Sequence, residues 1–263
     1  MDKPSIFIIV PTLNSFKILP KLVQSLNAQT NKDWRVLFVD GNSDKKHREY
    51  LKTTCSTNSK FEWIVQSSNN GIYGAMNHGF SFASQNEWVL FLGSDDWLSS
   101  RHSFSEFFNL LDRFHDMNPD LIISRAQYVD TESGELGRVS TFETSKGIYT
   151  YNNKSFRKKL FLGSSPPHQG TFYSKKTISF LQKFDENLTL VSDLDSFLRI
   201  SKYRDLNVLA FDNLMILMSK GGKSGQQTLR RTKEVIEVYL RHFNILFFIP
   251  FVLRYFQRAV SLF

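Results

Sequence analysis

Two adjacent carboxylates, Asp95 and Asp96, follow an apolar run and are preceded by Gly93 and Ser94. Paired carboxylates in such a loop suit a hard cation such as Mg²⁺ or Mn²⁺, which prefers oxygen ligands and substrate phosphates. Ser and Asp are also good helix caps, so the same residues are compatible with a helix that starts at Trp97. The tetrapeptide alone leaves a metal site and a helix cap equally open.

The elements that position these residues follow from the apolar pattern of the first hundred residues. Strands are predicted at 5–10, 34–40, 61–65 and 87–92, with helices at 16–29, 45–53 and 73–83 between them. Strands that alternate with helices imply parallel pairing with right-handed crossovers, and hence a doubly wound α/β sheet. In such a sheet the ligand crevice lies beyond the carboxyl ends of the strands. Three polar segments are therefore expected to meet on one rim: Pro11-Thr12-Leu13-Asn14, Asp40-Gly41-Asn42-Ser43-Asp44 and Gly93-Ser94-Asp95-Asp96.

The pattern is less regular after Asp96. It predicts a helix over 104–114, a strand over 121–124, a charged turn over 130–137, a strand over 171–173, an amphipathic helix over 192–203 and a last strand over 206–211. Residues 221–225 form a glycine-rich break, which is either a loop closing over a bound ligand or a plain hinge. A helix is predicted over 228–243, and an apolar, aromatic tail follows it.

Composition places the chain among folded globular proteins. It has 263 residues, of which 41% are hydrophobic and 22% charged, and this excludes a disordered or collagen-like chain. Its single cysteine, Cys55, cannot form an internal disulfide, and the N-terminus lacks the pattern of a signal peptide. We therefore expect a reducing compartment, most simply the cytoplasm.

The net charge of +8 favours anionic partners. Basic residues cluster late in the chain, and the last of them, Arg254 and Arg258, are interleaved with Phe, Leu and Ile. That arrangement fits a membrane surface better than a nucleic-acid groove, so no nucleic acid is expected as a partner. The longest uncharged run of the tail, 244–253, is too short for a span of about 20 residues, which favours an interfacial helix.

A series of motifs resembles the successive signatures of family 2 glycosyltransferases of the GT-A fold. The resemblance runs in order from about residue 5 to about residue 225, and its second part is similar to the bacterial polysaccharide or colanic-acid-type members. The motifs are Ile9-Val10-Pro11-Thr12-Leu13-Asn14, Val39-Asp40-Gly41-Asn42-Ser43-Asp44, Asn70-Gly71-Ile72-Tyr73-Gly74-Ala75-Met76-Asn77-His78-Gly79, the segment from Trp88 to Asp96, His168-Gln169 with Phe172, Phe184-Asp185-Glu186, and Ser192-Asp193-Leu194-Asp195 with Leu198-Arg199.

On the donor side, the resemblance implies that Asp40 recognises the nucleotide base. An aspartate can accept a hydrogen bond from the imide N–H of uracil, although Asp-Gly is also a common strand-ending turn. A helix start near Asn69 is expected to face the donor phosphates or sugar. Asn77 is alternatively a buried amide. The implied donor contacts are Pro11, Thr12, Asn14, Asp40, Asn69, Gly71, Tyr73, Asn77, Ser94, Asp95 and Asp96.

The family's metal motif is usually Asp-x-Asp, and Gly93 stands where the first acid would be. The resemblance therefore makes Asp95 the principal ligand of Mn²⁺ or Mg²⁺, with Asp96 as a second ligand or a sugar contact. One or two carboxylates, the donor diphosphate and water are enough to complete an octahedron.

On the acceptor side, an inverting transfer needs a base for the acceptor hydroxyl, and the resemblance assigns this role to Asp193. Asp195 is the competitor, but two residues apart on a helix the two side chains point in different directions. Both are alternatively acids that complement the helix dipole. His168 and Gln169 are implied as acceptor or active-site residues, and a lone histidine such as His168 is alternatively a core residue.

The sequence thus predicts an inverting glycosyltransferase that uses a nucleotide-sugar donor, UDP-sugar first, and a saccharide or polyprenyl-diphosphate-linked acceptor. Residues 1–100 are expected to be the nucleotide-sugar-binding half of one GT-A domain, 101–219 its acceptor-binding half, and 220–263 a flexible loop and amphipathic tail at the inner face of the cell membrane. The alternatives are a nucleotidyltransferase-like enzyme and a non-catalytic membrane-associated nucleotide-sugar-binding protein.

Overall fold

The computed structural model describes residues 3–67, 71–220 and 227–260, with side chains through 257. Strands and helices alternate in its first part: β1 (Ser5–Thr12), α1 (Leu19–Asn27), β2 (Trp34–Asp40), α2 (Lys45–Thr57), β3 (Phe61–Val65), α3 (Gly71–Phe80) and β4 (Glu87–Phe91). The second part contains β5 (Trp97–Leu98), α4 (Ser103–Arg113), β6 (Leu121–Val129), β7 (Leu136–Ser140), β8 (Ile148–Asn152), α5 (Asn153–Phe161), β9 (Thr171–Tyr173), α6 (Lys175–Leu181), α7 (Ser192–Ile200), β10 (Asn207–Ser219), α8 (Thr228–Phe243) and α9 (Phe248–Val260).

Helices cover both faces of the sheet, and β1 shows why. Successive side chains of a strand point to opposite faces, and every side chain from Ile6 to Val10 is fully buried. Ile6 and Ile8 join one apolar layer, whereas Phe7 and Ile9 join the other. A strand buried on both faces needs a continuous apolar run rather than an alternating one, and the sequence supplies it.

The sheet has the strand order β3-β2-β1-β4-β9-β6-β10-β5. β1, β2, β3 and β4 are parallel, and β10 is parallel to β6. β9 lies antiparallel between β4 and β6, while β5, β7 and β8 also pair antiparallel with their neighbours. The predicted α/β sheet flanked by helices is confirmed, with its parallel order concentrated in the first four strands.

Several boundaries differ from the sequence prediction. β1 continues to Thr12 instead of ending at residue 10. β10 continues to Ser219 because a register shift between Ala210 and Leu214 accommodates two polar residues in the middle of the strand. Trp97–Leu98 is a short strand that pairs with β10, so the idea of a helix starting at Trp97 is wrong.

The tail folds back on itself as two helices. α8 packs against the body through Val235, Val238 and Tyr239, all buried, and the chain turns at Asn244, whose φ is 49°. The hydroxyls of Thr232 and Tyr255 lie 3.2 Å apart, which joins the two helices. By length and composition alone, Thr228–Gln257 is the one stretch in the described part of the chain that is long and apolar enough to cross a membrane.

Candidate active site

The ends of β1 and β2 lie side by side, since Pro11 pairs with Val39 and Thr12 with Asp40. Pro11 and Thr12 are thus the last residues of a buried strand rather than part of a loop. Thr12 Oγ1 is buried and has no hydrogen-bond partner among the described residues. A polar atom left in this state at the sheet rim is available to a ligand.

Asn14 connects the first two rim loops. Its N–H donates to Ser43 Oγ at 2.8 Å, and its Oδ1 accepts from the Asp44 N–H at 2.8 Å. Asn14 has a φ of 52°, a left-handed conformation that asparagine tolerates better than most residues. The residue lies on the predicted rim, and the contacts that it makes hold the rim loops together.

Asp40 is fully buried at the end of β2. Its carboxylate accepts hydrogen bonds from the Ser43 N–H at 3.1 Å and from Arg48 Nε at 3.0 Å. The carboxylate therefore builds the turn after β2 and neutralises Arg48, as expected for a strand-ending turn residue. Its proposed contact with the nucleotide base stays a prediction and would take place beside the Arg48 guanidinium.

The next predicted donor segment is the start of α3. Asn69 lies outside the described residues, and Gly71 begins the helix with a φ of +66°. Tyr73 is buried, and its hydroxyl donates to Asp193 Oδ1 at 3.3 Å. Burial and the charge of Asp193 raise the pKa of Tyr73 well above its usual value, so the phenol keeps its proton. Tyr73 thus connects the donor-side helix with the predicted base.

Asn77 serves the fold. Its Nδ2 donates to the Phe184 carbonyl at 3.0 Å and to Glu186 Oε1 at 2.8 Å, and its Oδ1 accepts from the Phe184 N–H at 2.7 Å. These bonds attach the segment before α7 to α3. The contacts favour the buried-amide interpretation of Asn77 over a donor contact.

The turn after β4 brings the two carboxylates together. Asp96 is buried, and its Oδ2 accepts from the Gly93 N–H at 2.8 Å. Burial and the neighbouring Asp95 charge raise the pKa of the Asp96 carboxyl to about 7, and burial raises the pKa of Asp95 as well. Ser94 lies half-buried within the same turn.

The turn leaves little space beside Gly93. A Cβ there would lie 2.8 Å from Asp95 Oδ1 and 2.8 Å from Asp96 Oδ2, closer than real Cβ atoms approach. The carboxylates of Asp95 and Asp96 thus occupy the space beside Gly93, the position at which the family motif has its first acid.

The carboxylate pair fits a divalent cation. Neither Asp95 nor Asp96 has an ion-pair partner in the described part of the chain, and the charge of Asp95 adds to burial in raising the pKa of Asp96. No group of three or more metal-binding side chains occurs among the described residues. A cation held by Asp95 and Asp96 would need oxygen atoms from the substrate and from water to complete its coordination.

Asp193 and Asp195 both lie in the first turn of α7, but they face different surroundings. Asp193 contacts Tyr73 and lines a cavity. Asp195 is buried and accepts from Arg199 Nε at 2.8 Å, and its Oδ1 lies 2.9 Å from His242 Nε2. Burial raises the pKa of Asp195, but the hydrogen bond to His242 and the charge of Arg199 outweigh it and leave the pKa lowered. Asp195 therefore attaches α8 to α7, and its contacts do not support a role as base.

His168 lies between the sheet and Asp193. Its ring stacks on Phe91, with centroids 5.1 Å apart, and its Nδ1 lies 3.1 Å from the Tyr173 hydroxyl. Burial lowers the pKa of His168 to about 4 despite the nearby charge of Asp193, so the ring is neutral at physiological pH. Its buried Nε2 has no partner among the described residues. His168 is thus a core residue with one unused polar atom.

Asp193, His168 and Gln169 line the same cavity of about 540 Å³. Met218 also lines it, and the next residue, Ser219, donates its N–H to Asp96. The cavity therefore lies next to the carboxylate turn. Its walls come from residues 128, 138–142, 144, 159, 163–169, 193, 218, 254, 256 and 257.

Sequence reasoning missed three cations that line this cavity: Arg138, Lys159 and Arg254. The sequence predicts that Arg254 accompanies a membrane surface, but only 9% of the residue is exposed. Only the packing of α9 against α5 brings it to the cavity, and no local pattern signals that packing. Arg254 therefore faces the cavity instead of a membrane surface, and the prediction for this residue is wrong.

Strand-end loops on one rim, a carboxylate pair after β4 and an acid that lines an adjoining cavity are features expected of a GT-A glycosyltransferase. Residues 7–176 match the model of the family described as "Glycosyl transferase family 2". That match covers more than half of the chain, so the chain belongs to this family and is a transferase.

Curated relatives agree with this membership. A "PGL/p-HBAD biosynthesis glycosyltransferase" of Mycobacterium bovis (strain BCG / Pasteur 1173P2) is 35% identical over 199 residues, which cover 76% of this chain and 70% of the relative. A "GalNAc(5)-diNAcBac-PP-undecaprenol beta-1,3-glucosyltransferase" of Campylobacter jejuni is 31% identical over 98 residues, which cover 37% of this chain and 31% of the relative.

Solved structures show the same fold at low identity. S. aureus TarS 1–349 in complex with UDP-GlcNAc superposes with a TM-score of 0.71 and 18% identity, covering 96% of this chain and 73% of that one. The mannosyltransferase PcManGT from Pyrobaculum calidifontis, in complex with GDP-Man and Mn²⁺, gives a TM-score of 0.64 and 13% identity, covering 100% of this chain and 73% of that one.

Proposed function

We propose that the protein is an inverting glycosyltransferase that moves a sugar from a nucleotide-sugar donor to a hydroxyl held in the cavity. The observation that carries this proposal is the position of Asp193. It lines the cavity at the start of α7, contacts Tyr73 of the donor-side helix, and lies near the neutral ring of His168.

The donor is expected on the rim formed by the ends of β1, β2 and β4 and the start of α3. The unpartnered Thr12 hydroxyl and the Asp40 turn are both found there. A UDP-sugar is the first choice, because TarS, which shares the fold, was solved with UDP-GlcNAc. Contacts from Pro11, Asn14, Asn69, Gly71, Ser94 and Asp96 remain part of this proposal.

Asp95, with Asp96, would hold Mn²⁺ or Mg²⁺. When bound, such an ion offsets the charge that develops on the leaving diphosphate. The chain's own contribution is the carboxylate pair, with Asp96 buried and Asp95 half-buried, in the tight turn that begins at Gly93.

The acceptor hydroxyl is expected to approach Asp193. As its oxygen bonds to the anomeric carbon, the bond from that carbon to the diphosphate breaks, and the diphosphate leaves with the electron pair. The hydroxyl proton goes to the Asp193 carboxylate. Tyr73 donates to Oδ1 of that carboxylate, which leaves Oδ2 to accept the proton.

The acceptor is proposed to be a saccharide or a polyprenyl-diphosphate-linked sugar of a surface polysaccharide or lipopolysaccharide. The tail supports a peripheral membrane contact, since apolar side chains at the turn and along α9 are exposed: Ile245 81%, Phe248 51%, Val252 59% and Phe256 65%. An interfacial helix presents such a face to lipid. The protein would then act at the inner face of the cell membrane.

The test is hydrolysis of a panel of UDP-, GDP- and dTDP-sugars with Mn²⁺, with UDP binding measured in parallel. Asp193→Asn is expected to lower turnover by about 10²–10⁴-fold and to leave UDP binding unchanged, because it removes only the base. Asp195→Asn is the matched control, which should lower stability but keep turnover well below its melting temperature. Asp95→Ala should weaken metal-dependent UDP binding. No turnover and no metal-dependent nucleotide binding by the wild type would refute the proposal and favour a non-catalytic protein.

A further inference from the structure

Arg254 of α9 is a buried cation without a counter-charge. It is 9% exposed and lines the cavity that also contains Asp193. Its Nε is buried and has no hydrogen-bond partner in residues 3–67, 71–220 and 227–257. No salt bridge joins Arg254 to a carboxylate of those residues.

Such a state is costly for a protein. Withdrawing part of a charged guanidinium from water without a paired carboxylate is unfavourable. Arginine cannot relieve this cost by losing its proton, because its guanidinium stays charged at any accessible pH. An anion that reached this position would offset the unpaired charge of Arg254.

The backbone around Arg254 is held in place by close packing. Gly163 has a φ of +93°, and a Cβ there would lie 2.5 Å from the Arg254 backbone nitrogen. One turn further, Gln257 Nε2 donates to the Leu162 carbonyl at 2.9 Å. α9 thus packs closely against the end of α5, and this packing fixes the position of the Arg254 backbone.

The other two cations of the cavity already have partners. Lys159 forms an ion pair with Glu143, and the Arg138 guanidinium lies 5.5 Å from the centre of the Tyr128 ring. Arg254 is therefore the cation that has most to gain from an anionic ligand. Its planar guanidinium matches the paired oxygens of a phosphate or a carboxylate.

We propose that Arg254 binds an oxyanion carried by the acceptor, while the reacting hydroxyl of the same molecule lies at Asp193. The oxyanion is a phosphate of a lipid carrier or the carboxylate of an acidic sugar. This inference rests on the proposed function, in that it takes the cavity of about 540 Å³ as the acceptor site. It narrows the acceptor to an anionic molecule.

The test measures binding without turnover. The donor site is first filled with UDP and Mn²⁺, and farnesyl phosphate, inorganic phosphate and glucuronate are then titrated separately by calorimetry. Wild-type protein is expected to bind farnesyl phosphate if the source is a lipid carrier and glucuronate if it is an acidic sugar. Arg254→Gln should weaken that binding about tenfold or more, since a hydrogen bond between charged groups contributes about 1.5–3 kcal/mol. Arg254→Lys should retain part of it, and Arg204→Gln, an exposed arginine outside the cavity, should retain all of it.

A stability measurement separates ligand binding from a structural role. Arg254→Met keeps most of the aliphatic stem and removes the uncompensated charge, so its melting temperature without ligand should equal or exceed that of the wild type. A clear fall in melting temperature would mean that Arg254 is paired within the protein, and the inference would be overturned. Equal binding of all three probes by wild type and Arg254→Gln, or no binding by the wild type, would also overturn it. Arg254-dependent binding in a protein that hydrolyses no nucleotide sugar would refute the proposed function and leave the anion site standing.

Discussion

Restoring the first acid of the metal motif is expected to damage this protein. In Gly93→Asp, the new Cβ would lie 2.8 Å from one oxygen of Asp95 and 2.8 Å from one oxygen of Asp96. Both carboxylates would have to move, and Asp96 would lose the geometry of its 2.8 Å bond from the Gly93 N–H. A third negative charge would join a pair that already repels itself.

The size of the effect follows from its two parts. Forcing extra atoms into a packed site costs about 1–3 kcal/mol, and Gly93→Ala tests this part alone. Gly93→Asp adds like-charge repulsion, so its free energy of unfolding without metal should be lower than that of Gly93→Ala. Ser94→Ala, in the same turn, adds no atom and should stay within about 0.5 kcal/mol of the wild type.

Urea denaturation followed by circular dichroism in a metal-free buffer measures these differences, and Mn²⁺-dependent UDP binding measures the consequence for the site. Both Gly93 variants should bind UDP with Mn²⁺ more weakly than the wild type, by about tenfold if 1.4 kcal/mol of the distortion reaches the site. A Gly93→Asp protein that is as stable as the wild type and binds Mn²⁺ more tightly would refute the claim that Asp95 and Asp96 leave no space for a side chain at position 93.

Three further perturbations test other contacts. Glu234→Gln should lower the free energy of unfolding by about 1.5–3 kcal/mol at pH 7, because burial of this carboxylate is outweighed by hydrogen bonds from Leu190 and Thr189 that leave its pKa lowered. A carboxylate whose pKa is lower in the folded state stabilises the protein fully above its unfolded pKa, and this stabilisation is lost as the pH falls through its folded pKa. The difference in unfolding free energy between the wild type and Glu234→Gln should therefore shrink between pH 5 and pH 2. A difference that stays constant over this range would contradict the role of Glu234. Tyr73→Phe removes the 3.3 Å contact with Asp193 and should lower kcat about 3–10-fold with unchanged UDP binding. Weaker UDP binding at a normal kcat would instead mean that Tyr73 contacts the donor. Removing metal with EDTA should stop donor hydrolysis and added Mn²⁺ should restore it, whereas full activity in EDTA would exclude the metal role of the carboxylate pair.

The sequence predicted the elements that local pattern controls. Continuous apolar runs predicted the bounds of the first four strands to within about two residues. A strand buried on both faces contains few polar residues, so the first polar residues mark its ends. The polar residues after those runs then had to lie on one rim. The start of α7 was also predictable, since its apolar side chains recur at helical spacing.

Longer strands with polar interruptions were harder to predict. β10 has 13 residues, but its predicted end at residue 211 stops before Asp212 and Asn213. A bulge allows the strand to continue past them, and only the neighbouring strands determine whether the bulge forms.

The roles of individual polar residues also divide into those that the sequence determines and those that tertiary packing determines. By itself the sequence determined the family, the parallel core of the sheet, and the position of Asp95 and Asp96 directly after the fourth strand, because these depend on apolar periodicity and on motif order. Tertiary structure alone decided that Asn77 holds a segment 107 residues away, that Asp195 bonds to His242, and that Arg254 is turned into the cavity. The physical reason is that an amide, a carboxylate or a guanidinium has the same chemistry whether it stabilises the fold or binds a ligand. Only the groups packed against it determine which of these two roles it has.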